Sequence, residues 1–414
     1  MIAPEHLEML RNAVGADGLQ EHEPLELDGL ASTLTLSPSD GCALSSVLTA
    51  LESCSLAALV RGGGHRVGVG NPPARADVFL STGRLIGIDE FDANEGVCHV
   101  RSGTPLADVR DEVNARGWEL PLDPPGAGAT VGGCLAAASI GPRAFGFGRP
   151  RDVLLGLEVC LASGERIRCG GRVVKNVTGY DLNKLFTGSF GTLGVIESAW
   201  LRLRARPDRT ASCEASAPDV VSACRMGVAA ANCTSARAAA ILSDGQGGWR
   251  LVVELAGDEP IVKRDLHWLR SEFAAHEAPE STIDRLRELQ AEVPAPSGLR
   301  FRIGALSSRL EEALVGLQKN GASLLAYPGL RLIYARFPLT EPPVGSEVDL
   351  AFHAVAKVAR EAGGNYVCEA APSWAKSGRD MFGEIGATGS IMRILKERFD
   401  PGGVLNPGRF AGRI

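Results

Sequence analysis

The chain has 414 residues, a net charge of −6 and a charged fraction of 22%, which are ordinary values for a globular protein. This length exceeds what one hydrophobic core usually serves, so the sequence predicts two domains or one domain with a large insertion. Because the net charge is mildly negative and no basic run occurs, we expect no nucleic-acid partner. No apolar stretch approaches the ~18 residues that a membrane span needs.

The first residues, Met1 to Glu8, contain neither the basic start nor the apolar core of a signal peptide. The ten cysteines are scattered and form no Cys-x-x-Cys pair, which argues against an iron–sulfur cluster or a structural zinc in this chain. Cys134, Cys160 and Cys368 lie within apolar runs, as buried thiols of a reducing compartment do. We therefore expect a cytoplasmic protein without a metal site.

The N-terminal elements lead into a glycine-rich loop. Residues 5–14 predict a short helix, and Leu25 to Leu36 alternates as two edge strands would. Ser37 to Asp40 predicts the cap of a helix that runs to about Leu51. A short buried strand over residues 56–60 then precedes the loop.

This loop contains three successive glycines, Gly62, Gly63 and Gly64, followed by His65 and Arg66. Successive glycines let backbone N–H groups converge on an anion, so the loop is a candidate phosphate site. It lacks the GK[ST] of a P-loop and is not a GxGxxG that opens a helix, which argues against both of those nucleotide folds.

A second segment of small residues runs from Asp123 to Ser139. Strands at Val78–Ser81, Leu85–Asp89 and Val97–Arg101 precede it, as does a helix over Thr104–Arg116 with Thr104 as its cap and Pro105 as its first residue. A helix of glycine and alanine has few side chains for a core, but it allows a close backbone approach to a ligand. We expect its N-terminal amides to suit phosphate oxygens.

A third glycine-rich segment lies within Gly170–Ile196. It follows a hairpin predicted from Val153–Leu161 and Glu165–Cys169, and its loop Gly188–Gly194 has three glycines within seven residues. Such glycines are costly in an ordinary element but reasonable where the backbone presses against something flat or charged. On spacing alone, the segment is a glycine-rich hairpin.

Periodicity changes at Arg204–Asp208, a polar and proline-containing stretch that predicts a domain boundary. Beyond it, short strands and helices alternate, which predicts an α+β domain with helices on one face of a sheet. Glu292–Ser297 is expected to be a mobile link, and a C-terminal helix over Ile391–Phe399 to stop at Asp400-Pro401. The other predicted strands are 238–242, 250–255, 299–303, 323–327 and 330–337, and the predicted helices are 260–273, 283–292, 309–319 and 347–362.

Several of these motifs together resemble the FAD-binding proteins of the vanillyl-alcohol oxidase and p-cresol methylhydroxylase (PCMH) type. The resemblance is long and specific, and is strongest at residues 60–204 and 364–410. It is carried by the RGGGHR loop with GNPP, the TVGG segment with FGRPRD, the signature KNVTGYDLNKLFTGSFGTLGVI, and the tail FDPGGVLNPGR.

This resemblance implies FAD as the cofactor and an α+β fold class. Residues 18–207 would form a PCMH-type FAD-binding domain of two α+β subdomains. Residues 208–390 would form a C-terminal α+β cap domain of ferredoxin-like type, and residues 391–414 would return to the FAD domain.

The resemblance also implies a set of FAD-binding residues, drawn from the glycine loops, the GPR and FGxxRD motifs and the tail. They are Gly62, Gly63, Gly64, His65, Arg66, Thr130, Val131, Gly132, Gly133, Gly141, Arg143, Arg151, Asp152, Gly194, Val195, Ile196 and Asn406.

Two roles in this set stay open on sequence alone. Some family members attach the flavin covalently through a histidine at the place of His65, whereas others have serine or threonine there; we expect non-covalent FAD. Arg151 and Asp152 are as compatible with a structural ion pair as with contact to the cofactor.

Within the family, GNPP, GPRxxxxGxxRD and VVKNVTGYD are most similar to the FAD-binding (GlcE-like) subunits of glycolate oxidase. That branch implies two partners, a catalytic flavin subunit that carries the 2-hydroxy-acid chemistry and an iron–sulfur subunit that takes the electrons. Peripheral membrane association through such a complex is compatible with the sequence.

A missing motif favours this branch. Related enzymes that oxidise 2-hydroxy acids carry an HxGDGNxH metal and base cluster in the cap, whereas this chain reads GNYVCEAAP at 364–372 and has Phe190 where relatives tend to have glutamate. Glu369 or Tyr366 could act as the general base, although we favour structural roles for both. The alternatives are a stand-alone FAD oxidoreductase acting on an alcohol or 2-hydroxy acid, and an FAD-binding scaffold without turnover.

Overall fold

The computed structural model describes residues 2–172, 181–243, 248–291, 298–340 and 345–414. The Lys175–Tyr180 part of the family signature and the predicted link Glu292–Ser297 lie outside these residues. Among the helices of the described ranges, none is both long and apolar enough to cross a bilayer.

The first described sheet has four strands and lies at the N-terminal end of the chain. Its elements are α1 (Pro4–Val14), β1 (Leu19–Leu27), β2 (Leu30–Leu36), α2 (Gly41–Ser53), β3 (Ala58–Arg61) and β4 (Val78–Ser81). The strand order is β1-β2-β4-β3, with β1 and β2 antiparallel and the other pairs parallel. The predicted cap of α2 is confirmed, because the Asp40 carboxylate accepts the N–H groups of Cys42 and Ala43, both at 2.9 Å.

The second sheet has five strands in the order β5-β6-β10-β8-β9, and every pair is antiparallel. A separate short pair is formed by β7 and β11. The elements of this part are β5 (Ile88–Asp92), β6 (Val97–Arg101), α3 (Leu106–Asn114), β7 (Trp118–Glu119), α4 (Val131–Ala136), α5 (Ala144–Phe147), α6 (Pro150–Val153), β8 (Leu154–Cys160), β9 (Arg166–Gly170), α7 (Asn183–Phe186), β10 (Val195–Arg202) and β11 (Arg204–Ala205).

The predicted start of α3 is wrong in one respect. Pro105 is the N-cap residue, and no side chain caps the helix. The hydroxyl of Thr104 instead accepts the Gly87 N–H at 3.0 Å and donates to the Gly87 carbonyl at 3.2 Å. Thr104 therefore connects two loops, a role that the local sequence does not reveal.

The third sheet has eight strands in the order β15-β12-β14-β13-β17-β18-β16-β19, and its neighbours pair antiparallel throughout. The elements are β12 (Arg209–Ala217), α8 (Val220–Ala231), β13 (Ala236–Ser243), β14 (Trp249–Gly257), α9 (Glu259–Phe273), β15 (His276–Ala278), α10 (Ser281–Ala291), β16 (Leu299–Gly304), α11 (Leu310–Lys319), β17 (Ser323–Tyr327), β18 (Leu332–Phe337), α12 (Gly345–Glu361), β19 (Tyr366–Ala370), α13 (Ser373–Lys376) and α14 (Thr388–Phe399).

The two faces of the third sheet bury different partners. Apolar residues of α8, α9, α11 and α12 pack on one face and form the largest core, as the predicted helix layer requires. The other face packs against Ile283 and Leu286 of α10. Gln290, at the end of α10, donates to the Ile140 carbonyl at 2.7 Å, so this second face borders the rest of the chain.

The C-terminal tail adds to the edge of the first sheet. The Ala58 N–H donates to the Val404 carbonyl at 2.7 Å, and the Asn406 N–H donates to the Ala58 carbonyl at 3.0 Å. The tail thus lies beside β3. The domain bounds 18–207, 208–390 and 391–414 and the ferredoxin-like type of the cap stay predictions.

Candidate functional site

A cleft lies where the glycine-rich segments meet, and it encloses about 960 Å³ of empty space when the adjoining open solvent is included. Its walls come from the loop after β3, the segment that includes α4, the loop between α7 and β10, and the C-terminal tail. The lining residues include Val60, Arg61, Gly62, Gly63, Gly64, His65, Arg66, Ser102, Thr130, Gly132, Gly133, Ser139, Phe190, Gly191, Gly194, Val195, Ile196, Asn406 and Arg409.

The loop after β3 presents unused backbone donors. Within the described ranges, the N–H groups of Gly62, Gly63, Gly64 and His65 make no hydrogen bond, although these residues line the cleft. A Cβ on Gly63 would lie 2.2 Å from the Gly128 carbonyl oxygen, so glycine is required for the two loops to pack together. Free N–H groups on successive residues beside a cleft suit an anion.

The N-terminus of α4 differs from the prediction. The N–H groups of Val131 and Gly132 donate to the carbonyls of Thr104 and Ser102, at 3.0 and 2.7 Å, and the Gly133 N–H donates to Thr130 Oγ1 at 3.3 Å. These amides are therefore already bound within the protein. In this structure α4 serves as a close-packed wall, and the free donors lie in the loop after β3.

Unpaired buried polar atoms show that the cleft suits a ligand with polar groups along its length. The hydroxyls of Ser102 and Ser139 and the Nε of Arg66 are buried, and none has a hydrogen-bond partner among the described residues. All three residues line the cleft. Buried polar groups normally have partners, so the phosphate, hydroxyl and ring atoms of FAD fit this set of donors and acceptors.

Asn406 joins two walls of the cleft. Its Oδ1 accepts the Val60 N–H at 2.8 Å, and its Nδ2 donates to the Phe190 carbonyl at 2.6 Å. The ring of Phe190 packs against Phe382 and Phe410, with ring centroids 5.3 and 5.6 Å apart. The tail therefore fixes the relative positions of the loops on either side.

Most of the predicted FAD-binding residues come together in the cleft, and five do not. Val131, Gly141, Arg143, Arg151 and Asp152 are absent from its lining, whereas the other members of the predicted set line it. A Cβ on Gly141 would lie 2.1 Å from the Asp123 carbonyl oxygen, so this glycine serves loop packing.

Arg143 binds across to the third sheet. Its guanidinium donates to both carboxylate oxygens of Glu254, at 2.9 and 2.8 Å, and Arg237 donates to the same carboxylate at 2.6 Å. Burial alone would raise the pKa of Glu254, but the hydrogen bonds from Arg143 and Arg237 hold that pKa below its usual value. The geometry gives Arg143 a contact with β14 of the third sheet.

Arg151 and Asp152 form the local pair that the sequence left open. Their side chains are about half exposed and 3.8 Å apart, and the Asp152 carboxylate accepts the Arg149 N–H at 2.8 Å. This arrangement caps α6 and favours the structural alternative.

His65 lies at an exposed position next to the second glycine segment. A Cβ on Gly128 would lie 2.6 Å from His65 Cε1, so the imidazole rests directly on that backbone. The ring borders the cleft, and whether it bonds covalently to a flavin stays a prediction.

Glu369 is an ion-pair centre, which argues against its candidacy as a general base. Its carboxylate is 1% exposed and lies 2.7 Å from Arg66, 3.0 Å from Arg302 and 3.7 Å from Arg300. Burial would raise the pKa of Glu369, but the three arginines lower it to about 2. A general base works best with a pKa near the working pH, so this carboxylate is a poor proton acceptor.

Tyr366 also has a packing role. Its ring contacts Phe301 and Phe352, with centroids 5.9 and 6.4 Å apart, and burial raises the pKa of its hydroxyl. In the described part of the chain, no three His, Cys, Asp or Glu side chains form a group that could hold a metal.

Ser102, Ser139, Phe190 and Arg409 line the cleft but were not among the predicted binding residues. The sequence could have indicated Arg409 as a binding residue, because it is the last residue of the tail motif LNPGR. The sequence could not have indicated Ser102 and Ser139, because what marks them is a buried hydroxyl without a hydrogen-bond partner among the described residues.

The fold of this chain is similar to those of solved flavoprotein structures. The fold is similar to that of p-cresol methylhydroxylase with substrate bound, with a TM-score of 0.74, 16% identity, and coverage of 98% of this chain and 96% of that one. The protein therefore has the fold of the PCMH-type flavoproteins. Residues 33–170 match a family described as FAD binding domain.

Two curated relatives match part of the chain. Glycolate oxidase subunit GlcE of Escherichia coli is 36% identical over 151 residues, which are 36% of this chain and 43% of that protein. D-lactate dehydrogenase of Archaeoglobus fulgidus is 35% identical over 170 residues, which are 41% of this chain and 38% of that protein. The matches thus span less than half of each relative's length.

Proposed function

We propose that this protein is the FAD-binding, electron-transferring subunit of a cytoplasmic glycolate oxidase complex that oxidises 2-hydroxy acids. Two features together support this proposal most strongly. The cleft fits FAD, and the cap shows no evident general base among its described residues. Glu369 is held as an anion by arginines, and the HxGDGNxH cluster is absent from the sequence. Similarity to a subunit named as part of a glycolate oxidase supports the same assignment.

Different groups of the described residues would hold different parts of FAD. The free amides of Gly62–His65 suit its phosphates, and Ser102 and Ser139 offer hydroxyls to its polar atoms. Asn406 fixes the loops that carry Val60 and Phe190. When bound, FAD supplies the capacity to accept and release electrons, while the protein supplies orientation and electrostatics.

The cap is joined to the cofactor loop by charge. Arg66 directly follows the loop's free amides, and its guanidinium binds Glu369 of β19. Moving the cap away would leave a buried carboxylate without one of its cations, which is unfavourable. The cap therefore keeps the Arg66 end of the loop in place and limits water at that end.

A stand-alone FAD oxidoreductase is the second candidate. The similarity to a D-lactate dehydrogenase is nearly as high as that to the glycolate oxidase subunit, and this observation favours it. For the third candidate, an FAD-binding scaffold without turnover, the free amides and unpaired hydroxyls of the cleft argue against loss of FAD.

Copurification from the native cells tests the proposal. We expect the tagged chain to bring down a second flavoprotein and an iron–sulfur protein in fixed ratio, and the complex to reduce a dye with glycolate. Deletion of either partner should abolish that activity. Recovery of the chain alone, with full activity towards a 2-hydroxy acid, would instead establish the stand-alone enzyme.

A further inference from the structure

Two buried cations, Lys376 and Arg409, contact the segment that follows the loop after β3, and Arg409 also lines the cleft. The side chains of Lys376 and Arg409 are only 4% and 5% exposed. Lys376 ends α13 in the predicted cap, and Arg409 belongs to the C-terminal tail. Both contact Asp28, in the turn between β1 and β2, at 2.8 and 3.4 Å.

The two cations bind four carbonyl groups of one short segment. Arg409 donates to the carbonyls of Val67, Val69 and Asn71, the last two at 2.6 and 2.9 Å. Lys376 donates to the Gly68 carbonyl at 2.7 Å. The segment begins at Val67, one residue after the loop whose N–H groups, from Gly62 to His65, are free.

This arrangement orients the loop. The carbonyl oxygens of residues 67–69 and 71 are held by the two cations, while Gly62–His65, whose N–H groups make no hydrogen bond within the described ranges, line the cleft. Backbone dipoles fixed in this way present their positive ends to a ligand before the ligand arrives. A preorganised site binds more tightly because less ordering is needed on binding.

The charge balance favours an anion as well. Among the described residues, Asp28 is the one carboxylate in contact with either cation, so two positive charges face one negative charge. Burial lowers the pKa of Lys376, although the hydrogen bond to Asp28 opposes this. The surplus positive charge lies beside the loop that meets the phosphates.

We propose that Lys376 and Arg409 are positioning residues that set the loop for the pyrophosphate of FAD and thereby couple the cap to cofactor affinity. The proposal rests on FAD being the ligand of the cleft and does not depend on the oxidase complex. Neither residue acts on a substrate.

The test compares Lys376→Met and Arg409→Met with the wild-type chain and with Arg413→Met. Arg413 is a matched control, because it lies in the same tail, is exposed, and donates to the Arg379 carbonyl instead of to the loop. Apoprotein is titrated with FAD and with riboflavin, which has the flavin ring but no phosphate. The full chain is used throughout, and Asp28→Asn is included as a milder variant that loosens Arg409 and Lys376 without removing either.

We expect FAD affinity to fall about tenfold or more in both methionine variants, which corresponds to roughly 1.4 kcal/mol, and less in Asp28→Asn. Riboflavin affinity should change by less than about twofold, so that the preference for FAD over riboflavin falls. Arg413→Met should match the wild type in both titrations.

Hydrogen exchange of the apoprotein gives a readout without ligand. Peptides covering residues 66–72 should exchange faster in the three loop variants, whereas peptides from the third sheet should not. Equal loss of FAD and riboflavin affinity, or unchanged exchange in the loop, would overturn the positioning role. A wild-type chain that binds no FAD would overturn the cofactor assignment as well, so the two failures are distinguishable.

Discussion

Single side chains decide which parts of the site can do chemistry. Glu369 is the clearest case, because its position in GNYVCEAAP left it open as a base, whereas its three arginine neighbours make it an anchor. The three arginines, Arg66, Arg300 and Arg302, are far from Glu369 in sequence. No local pattern in the sequence announces such a cluster.

Replacement of Glu369 tests this structural role. We expect Glu369→Gln to lower the free energy of unfolding by about 3 kcal/mol at pH 7, because the arginines lose the buried charge that they surround. The folded pKa of about 2 lies below the unfolded value of 4.5, so the stability it contributes is present above pH 4.5 and is lost as the pH falls towards 2. Urea denaturation at pH 7 and pH 3 should therefore show the two proteins converging at the lower pH.

The exposed Glu384 supplies a control for that experiment, since its pair with Arg360 is 3.6 Å apart and largely solvated. Glu384→Gln should change the unfolding free energy by less than about 1 kcal/mol. A Glu369→Gln protein as stable as the wild type at pH 7 would contradict the anchor role.

His65 is the subject of a second prediction at this scale. We expect FAD to be released into the supernatant when the protein is denatured with acid or detergent, and His65→Ala to retain bound FAD. The imidazole is exposed and rests on Gly128, which is a packing contact that needs no bond to flavin. Flavin fluorescence that stays with the denatured wild-type band and disappears in His65→Ala would demonstrate a covalent bond instead.

At the scale of elements, the sequence predicted best where local signals agree with tertiary structure. The Asp40 cap, the hairpin of β8 and β9 and the strands β4, β6 and β17 all combine apolar periodicity with clear turn or cap residues. Strand β12 was missed, because RTASCEASA is rich in small and polar residues. Its pairing with β14 along nine residues overrides that weak local preference.

In the candidate site too, features with a local sequence signal could be predicted, whereas features set by tertiary contacts could not. Glycine loops could be placed in the cleft because a family signature marks them, whereas the direction of their N–H groups could not. The amides of α4 looked free in sequence but are bound by Thr104, Ser102 and Thr130. Hydrogen-bond partners of this kind depend on how separate elements meet.

Gly133 offers a sharper test of the cleft than Gly132. A Cβ on Gly132 would lie 2.6 Å from Ser102 Cβ, so a side chain there disturbs packing, whereas on Gly133 the near atom is Thr130 Oγ1 at 3.0 Å. We expect Gly133→Val to lower FAD affinity at least tenfold with the fold retained, because the added methyl groups occupy the cleft. Fluorescence titration with FAD and circular dichroism measure the two effects.

Gly345→Val is the matched control, since a Cβ on Gly345 meets nothing within 4 Å and the residue lies away from the cleft lining. It should bind FAD as the wild type does. Unchanged FAD binding by Gly133→Val would place the cofactor elsewhere.

For the whole molecule, several ionic contacts join the third sheet and its neighbours to the flavin-binding part, and three of them involve nearly fully buried side chains. Arg66 binds Glu369, Arg143 binds Glu254, and Lys376 binds Asp28. Each involves at least one side chain that is nearly fully buried. These buried ion pairs therefore tie the third sheet and its neighbours to the rest of the chain beside the cleft.

The isolated chain should turn over glycolate and D-lactate slowly. Oxidation of a 2-hydroxy acid requires a group that removes the hydroxyl proton, and a positioned base contributes roughly 10²–10⁴-fold. We expect dye reduction below about 1 s⁻¹, the low end of typical enzyme values. The reconstituted complex is the positive control, and faster turnover by the purified chain alone would support the stand-alone enzyme.

The hydrogen bonds of Asn406 to Val60 and Phe190 have a consequence for when, during protein synthesis, the cofactor can bind. Its contact with Val60 spans 346 positions, and a ribosome adding about 5–20 residues per second needs on the order of 20–70 s to make the intervening chain. Until then, the strand that carries the phosphate loop lacks its last neighbour, and the wall around Phe190 is unfixed. We therefore expect flavin to be acquired after Asn406 has been synthesised, and a chain stalled before that residue to emerge colourless.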